Sequence, residues 1–149
     1  MKHAFCKWIA AGAALAVLLC SLSLTVFAEP VAEVESIDLG NGFTVVITTD
    51  TAAGPGRASG GQNKQAEYSY NGTWIATVTL YATFSYNGST VSVTNAYATR
   101  SLASGWIYYN ESLTKSGGTA SLSASLTRNG CGTVPVALSL TCDKNGNIS

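Results

Sequence analysis

Residues Thr73–Tyr86 read Thr-Trp-Ile-Ala-Thr-Val-Thr-Leu-Tyr-Ala-Thr-Phe-Ser-Tyr. Trp74, Ala76, Val78, Leu80, Ala82, Phe84 and Tyr86 share one parity; Thr73, Ile75, Thr77, Thr79, Tyr81, Thr83 and Ser85 share the other. A side-chain period of two, apolar against mostly hydroxyl, is what a strand with one buried face requires. β-branched and aromatic types favour the same state. The pattern predicts a core face from Trp74 to Phe84 and a solvent face of Thr and Ser. Such length in one strand predicts a hard twist, a bend or a crossing between sheets.

Either side of this run stands the same punctuation, Ser69-Tyr70-Asn71-Gly72 and Ser85-Tyr86-Asn87-Gly88. Asn-Gly supplies two positive-φ residues, as a type I′ hairpin turn needs, so two consecutive hairpins are expected. With Asn87-Gly88 as the turn, Phe84 faces Val91, Ala82 faces Val93 and Val78 faces Tyr97, apolar against apolar. On the other face Thr83 meets Ser92 and Tyr81 meets Thr94. A slip of one residue would turn the second strand inside out.

Further out, residues 105–115 carry Trp106, Ile107, Tyr108 and Tyr109 and read as a strand. Ala120, Leu122, Ala124 and Leu126 alternate with Ser and Thr in the next. Arg128-Asn129-Gly130 turns the chain, and Val134, Val136, Leu138 and Leu140 mark a last strand with Pro135 near its start. Upstream, residues 43–49 alternate as a strand, while residues 50–65, with Gly54-Pro55-Gly56 and Gly60-Gly61, read as a flexible loop or linker. Residues 29–41 are mildly acidic and read as a partly ordered leader, with a weak strand through Val34 and Ile37 as the alternative. Roughly six to eight short strands and no sustained helical period predict an all-β fold. An antiparallel β-sandwich, immunoglobulin-like or similar, is expected, with a partly open β-barrel as the alternative. Residues 29–66 form the leader, one strand and the Gly-rich loop; residues 67–149 form the main β domain.

The first 28 residues read as a signal peptide. Lys2 and Lys7 precede an uncharged run over 8–24, and Val26-Phe27-Ala28 places small residues at −3 and −1, predicting cleavage between Ala28 and Glu29 and a secreted, extracellular protein. A retained membrane anchor and a lipoprotein cut before Cys20 are the alternatives; after cleavage no membrane partner is expected. The mature chain keeps Arg57, Lys64, Arg100, Lys115, Arg128 and Lys144, scattered singly among eight acidic residues. Nucleic acid is an unsuitable partner, because phosphate neutralisation needs clustered cations.

The only histidine is His3, inside the signal peptide. That removes Ser-His-Asp and Cys-His catalysis and histidine metal sites from the mature protein. No cofactor is expected. Cys131 and Cys142 form a possible disulfide, yet one extended run between them would part the sulfurs by roughly 35 Å at about 3.3 Å per residue. Doubling back, free thiols and pairing between chains all stay open. A carboxylate-pair hydrolase would use two of Asp50, Glu67, Glu111 and Asp143, whose spacing favours no pair. Residues 143–147, Asp-Lys-Asn-Gly-Asn, resemble half a calcium loop but lack its Gly and Glu, so a plain turn is expected. Asn71, Asn87, Asn110 and Asn147 head Asn-x-Ser/Thr triplets; Asn71 and Asn87 are the expected hairpin turns, and turn chemistry is a better account than glycan acceptance.

Two surfaces could bind. Tyr68, Tyr70, Trp106, Tyr108 and Tyr109 carry rings of the kind that stack on sugars or anchor protein interfaces; core and edge packing is the competing role. The hydroxyl face of Thr77, Thr79, Thr83, Ser85, Thr90, Ser92 and Thr94 reads as a solvent face with cross-strand pairing.

Residues 73–149 resemble a group of small secreted proteins of Gram-positive-type bacteria, through Ala82-Thr83-Phe84-Ser85-Tyr86-Asn87-Gly88-Ser89-Thr90-Val91, Lys115-Ser116-Gly117-Gly118-Thr119-Ala120 and Leu140-Thr141-Cys142-Asp143-Lys144-Asn145-Gly146. The resemblance implies export and an all-β fold, and no site. The expected function is binding of an unknown protein or glycan surface, without catalysis. A bacteriocin-like toxin or inhibitor, and then a weak hydrolase, are the alternatives.

Overall fold

The computed structural model describes residues 32–50 and 59–149. The expected signal peptide and its cleavage point lie outside the described residues, as do positions 51–58 of the Gly-rich stretch. The fold is all-β, with two antiparallel sheets packed face to face and not closed into a barrel. The first sheet runs β1 (Ala32–Gly40), β2 (Phe43–Asp50), β3 (Ser59–Tyr70), β4 (Thr73–Tyr86) and β5 (Val91–Leu102) in sequence order. The second runs β6 (Ile107–Ser116), β7 (Thr119–Arg128) and β8 (Gly132–Thr141). β8 lies over β3, β7 over β4 and β5, and β6 beside β5, so β1 and β2 overhang the smaller sheet.

Two expectations are corrected. The leader takes its alternative reading, a strand, because β1 pairs along β2 from Ala32 to Gly40. The second half of the supposed loop is also strand: Ser59 through Gln65 pair with Ser85 through Thr79 of β4. Neither stretch alternates in hydrophobicity, since β1 is an overhanging edge and the start of β3 presents Asn63, Lys64 and Gln65. The five-stranded sheet therefore crosses the expected domain boundary at residue 66.

The core lies between the sheets. Val78, Leu80 and Phe84 of β4 meet Leu122 and Leu126 of β7 and Val134, Val136 and Leu140 of β8, all almost fully buried. Each such side chain contributes about 1.5–3 kcal/mol of transfer free energy. The outer faces carry hydroxyls and amides in cross-strand pairs. Thr79 Oγ1 donates to Gln65 Oε1 (3.4 Å), and Ser121 and Ser139 hydroxyls meet at 3.2 Å. Tyr81 and Tyr97 stack with ring centroids 4.7 Å apart and planes 8° from parallel. That spacing is the spacing of adjacent strands, so these rings stand side by side as a cross-strand pair.

Both long strands bend at bulges, as the length of β4 predicts. Tyr68 pairs with Ala76 and Ser69 with Trp74, leaving Ile75 as the extra residue. Phe84 pairs with Val93 and Thr83 with Asn95, leaving Thr94 extra. The Asn71-Gly72 hairpin has the expected positive φ at both residues (48° and 76°) and closes on the Tyr70–Thr73 pair. The second hairpin differs. Asn87 is not at positive φ; its Oδ1 accepts from Ser89 N (3.0 Å) and Thr90 N (2.8 Å), capping a four-residue turn between Tyr86 and Val91. Phe84 consequently faces Val93, and beyond Thr94 the parity flips again. Tyr97 lands opposite Tyr81 on the outer face instead of opposite Val78. An Asn side chain that competes for backbone N–H groups here outweighs the I′ preference.

The free edge of β8 is occupied by side chains. Lys64 Nζ donates to Ser139 O (3.1 Å), the Ala137 N–H bonds Tyr68 Oη, and Thr141 exchanges both backbone bonds with Ser149 (2.8 and 2.9 Å). Pro135 has no N–H to offer. β1 carries Glu33 and Glu35 on the core side of its overhang, charges that discourage strand addition. Cys131 and Cys142 flank extended β8, one before and one after, and both are free thiols. The intrachain disulfide is thereby corrected, in favour of the free-thiol alternative: an extended strand holds its ends too far apart for one chain to join them.

Candidate functional site

The two ends of the sandwich are built differently. At one end, after β4, β6 and β8, the C-terminal tail folds back as a lid of backbone bonds. Gly88 N donates to Lys144 O (2.8 Å), Cys142 N to Gly118 O (2.8 Å) and Val93 N to Gly117 O (2.9 Å). Asp143 Oδ1 accepts from Asn145 N (2.8 Å) and Asn147 N (2.9 Å), and Asn147 Nδ2 reaches Asp143 Oδ2 at 2.6 Å. These bonds, led by that of the Asn147 side chain, hold the Asp143 carboxyl below its usual range. The half calcium loop is a self-satisfied turn. Gly146 (φ 91°) lies so close over the Tyr86 ring that a Cβ would strike it.

The other end is open. Here the hairpin at Asn71-Gly72, the connection 103–106 and the end of β7 surround a pocket of about 300 Å³ lined by Tyr70, Asn71, Thr73, Trp74, Trp106 and Arg128. The Ile75 bulge makes it. With Ile75 turned into the core (2% exposed), Trp74 is displaced from the core face and is 38% exposed, its Nε1 donating to Thr77 Oγ1 (3.0 Å). The bulged Ile75 carbonyl accepts from Ala103 N (2.8 Å), and Trp106 N closes the next turn onto Ala103 O (3.2 Å). One backbone irregularity thus sets both indoles beside the pocket. Beneath it, Phe43, Tyr70 and Trp106 pack ring on ring, with centroids 4.8 to 6.0 Å apart. Such ring pairs stabilise the floor. Arg128 lies over Gly105, and among the described residues no carboxylate pairs with it.

The expected ring cluster is divided by the structure. Tyr70, half-buried, lines this pocket, and Trp106 underlies it as a core residue that is only 6% exposed. Tyr68 is core; burial pushes its hydroxyl up to about 12, against the Ala137 N–H bond that favours ionisation. Tyr108 seals the side of the sandwich, with the Arg100 guanidinium 4.7 Å from its ring centre and paired to Glu111 at 2.8 Å. Its hydroxyl is also pushed up to about 12, first by burial and then by the Glu111 carboxylate. Tyr109 is exposed on the outer face of the small sheet, away from the pocket. Asn71, Thr73, Trp74 and Arg128 were missed. For Trp74 the missed signal was present: Trp74-Ile75-Ala76 interrupts strict alternation, and three apolar residues in a row inside an alternating strand mark a bulge.

The candidate carboxylates are dispersed. Glu111 is bound to Arg100, and Asp143 is in the closing turn. Asp50 and Glu67 share the outer face, but Glu67 pairs beside Val46, four residues along β2 from Asp50. That is about 13 Å of strand, beyond the reach of a glycosidase pair. Among the described residues no cluster of three His, Cys, Asp or Glu could hold a metal. A second concavity of about 350 Å³ on the small sheet is lined by Leu122, Leu138 and small side chains such as Ser112, Ser123 and Ala137, with neither ring nor charge to orient a ligand.

No protein-family model matches the chain, and neither the curated proteins nor the solved structures searched contain a significant match to it.

Proposed function

We propose that the protein is an exported, non-enzymatic binding module that takes a glycan unit into the open-end pocket. The observation that carries this reading is the pairing of exposed Trp74 with the Tyr70 and Trp106 rings around a pocket of about 300 Å³. That volume is at the small end of ligand sites, suited to one ring-sized unit. Indole and phenol faces hold the apolar C–H face of a sugar, while Asn71 and Thr73 offer hydrogen bonds at the rim. Export rests on the N-terminal pattern of Lys2, Lys7, the apolar run and Val26-Phe27-Ala28.

A glycan array probed with the purified protein and with Trp74→Ala tests it. Binding of a glycan class by the parent, lost in a variant that melts within a few degrees of it, supports the reading. An empty array, or equal binding by both proteins, sinks it.

A further inference from the structure

Arg128 gives the pocket a chemical preference. Its guanidinium stands at the rim of an aromatic site, beside Trp106 and Asn71, with no carboxylate partner among the described residues. Arg100, by contrast, is committed to Glu111 and to the Tyr108 ring. The position is also arranged for. Arg128 Nε lies 3.5 Å from where a Gly105 Cβ would stand, an ordinary contact distance that places the guanidinium over the 103–106 connection. Arg128 O accepts from Cys131 N (3.0 Å), which fixes the turn that carries it. A planar fork of donors next to stacking rings matches a ligand that joins a flat apolar face to a carboxylate.

We propose that the ligand unit is an acidic sugar, a uronate whose ring lies on Trp74 above the Trp106 floor and whose carboxylate pairs with Arg128. This rests on the glycan reading of the same pocket. Titrating indole fluorescence with oligogalacturonate and with the neutral galactose oligomer of equal length separates the two. The uronate binds about tenfold tighter at low salt, as one charge-assisted pair allows. Arg128→Gln abolishes the difference between the two oligomers, while Arg128→Lys retains part of it. Equal binding of both oligomers overturns the acidic preference and leaves the glycan site standing. Binding of benzoate without either oligomer, or of none of the three, overturns both.

Discussion

The closed end and the open end of this sandwich are made from the same material, Asn-Gly turns and aromatic residues, and use it in opposite ways. At the closed end Tyr86 is roofed by Gly146, and the tail satisfies the turns by backbone bonds. At the open end Trp74 stays 38% exposed, held outward by a bulge. Rings beneath a lid contribute to stability, whereas rings at an uncovered mouth are available to a ligand. Substitutions at the two ends should therefore separate stability from binding.

The largest effect belongs to the core nearest the lid. Phe84→Ala should cost about 3–5 kcal/mol in urea unfolding and leave any surviving folded fraction able to bind. Gly146→Ala should follow at about 2–3 kcal/mol, because it combines a positive φ with a collision on the Tyr86 ring. A free-energy loss below about 0.5 kcal/mol would show that the tail is not a lid. Alkali probes the layer beneath the open end. Tyr68 is raised from 10.0 to about 12 in the folded state, so its contribution is whole below pH 10 and is lost as pH climbs through about 12. Stability measured over that window should fall, and Tyr68→Phe should flatten the fall.

Two smaller effects sharpen the contrast. Tyr86→Phe removes a buried hydroxyl that has no hydrogen-bond partner among the described residues, so stability should hold or rise by up to about 1 kcal/mol. Trp74→Ala should change stability least, within about 1 kcal/mol. Calorimetric melting of both variants checks the ranking.

Much of this architecture was legible in the chain. The alternation from Ala76 to Tyr86, the Asn71-Gly72 turn and the Ser-x-Ser rhythm of β7 are local signals, and the structure uses them as read. What was illegible depends on partners. β1 and the start of β3 are strands because β2 and β4 offer them ladders, and their polar side chains carry no period to announce it. The Asn87 cap and the Thr94 bulge are decided by competition between side chain and ladder, which moved Tyr97 to the opposite face from the one expected. The site suffered most, since its central residue, Trp74, lies on a strand whose parity sends it to the core. Only the bulge, set by pairing across β3, reverses that.

Chemical-shift mapping tests the division between the ends most directly. The amide and indole resonances of the purified protein would be followed during titration with the glycan class the array selects. The account predicts shifts confined to the indoles of Trp74 and Trp106 and to the amides around Asn71, Ala103 and Arg128, with Gly88, Gly118 and residues 143–149 unmoved. Shifts centred on the tail and Tyr86, or on the Ser112–Ser123 face of the small sheet, would contradict it.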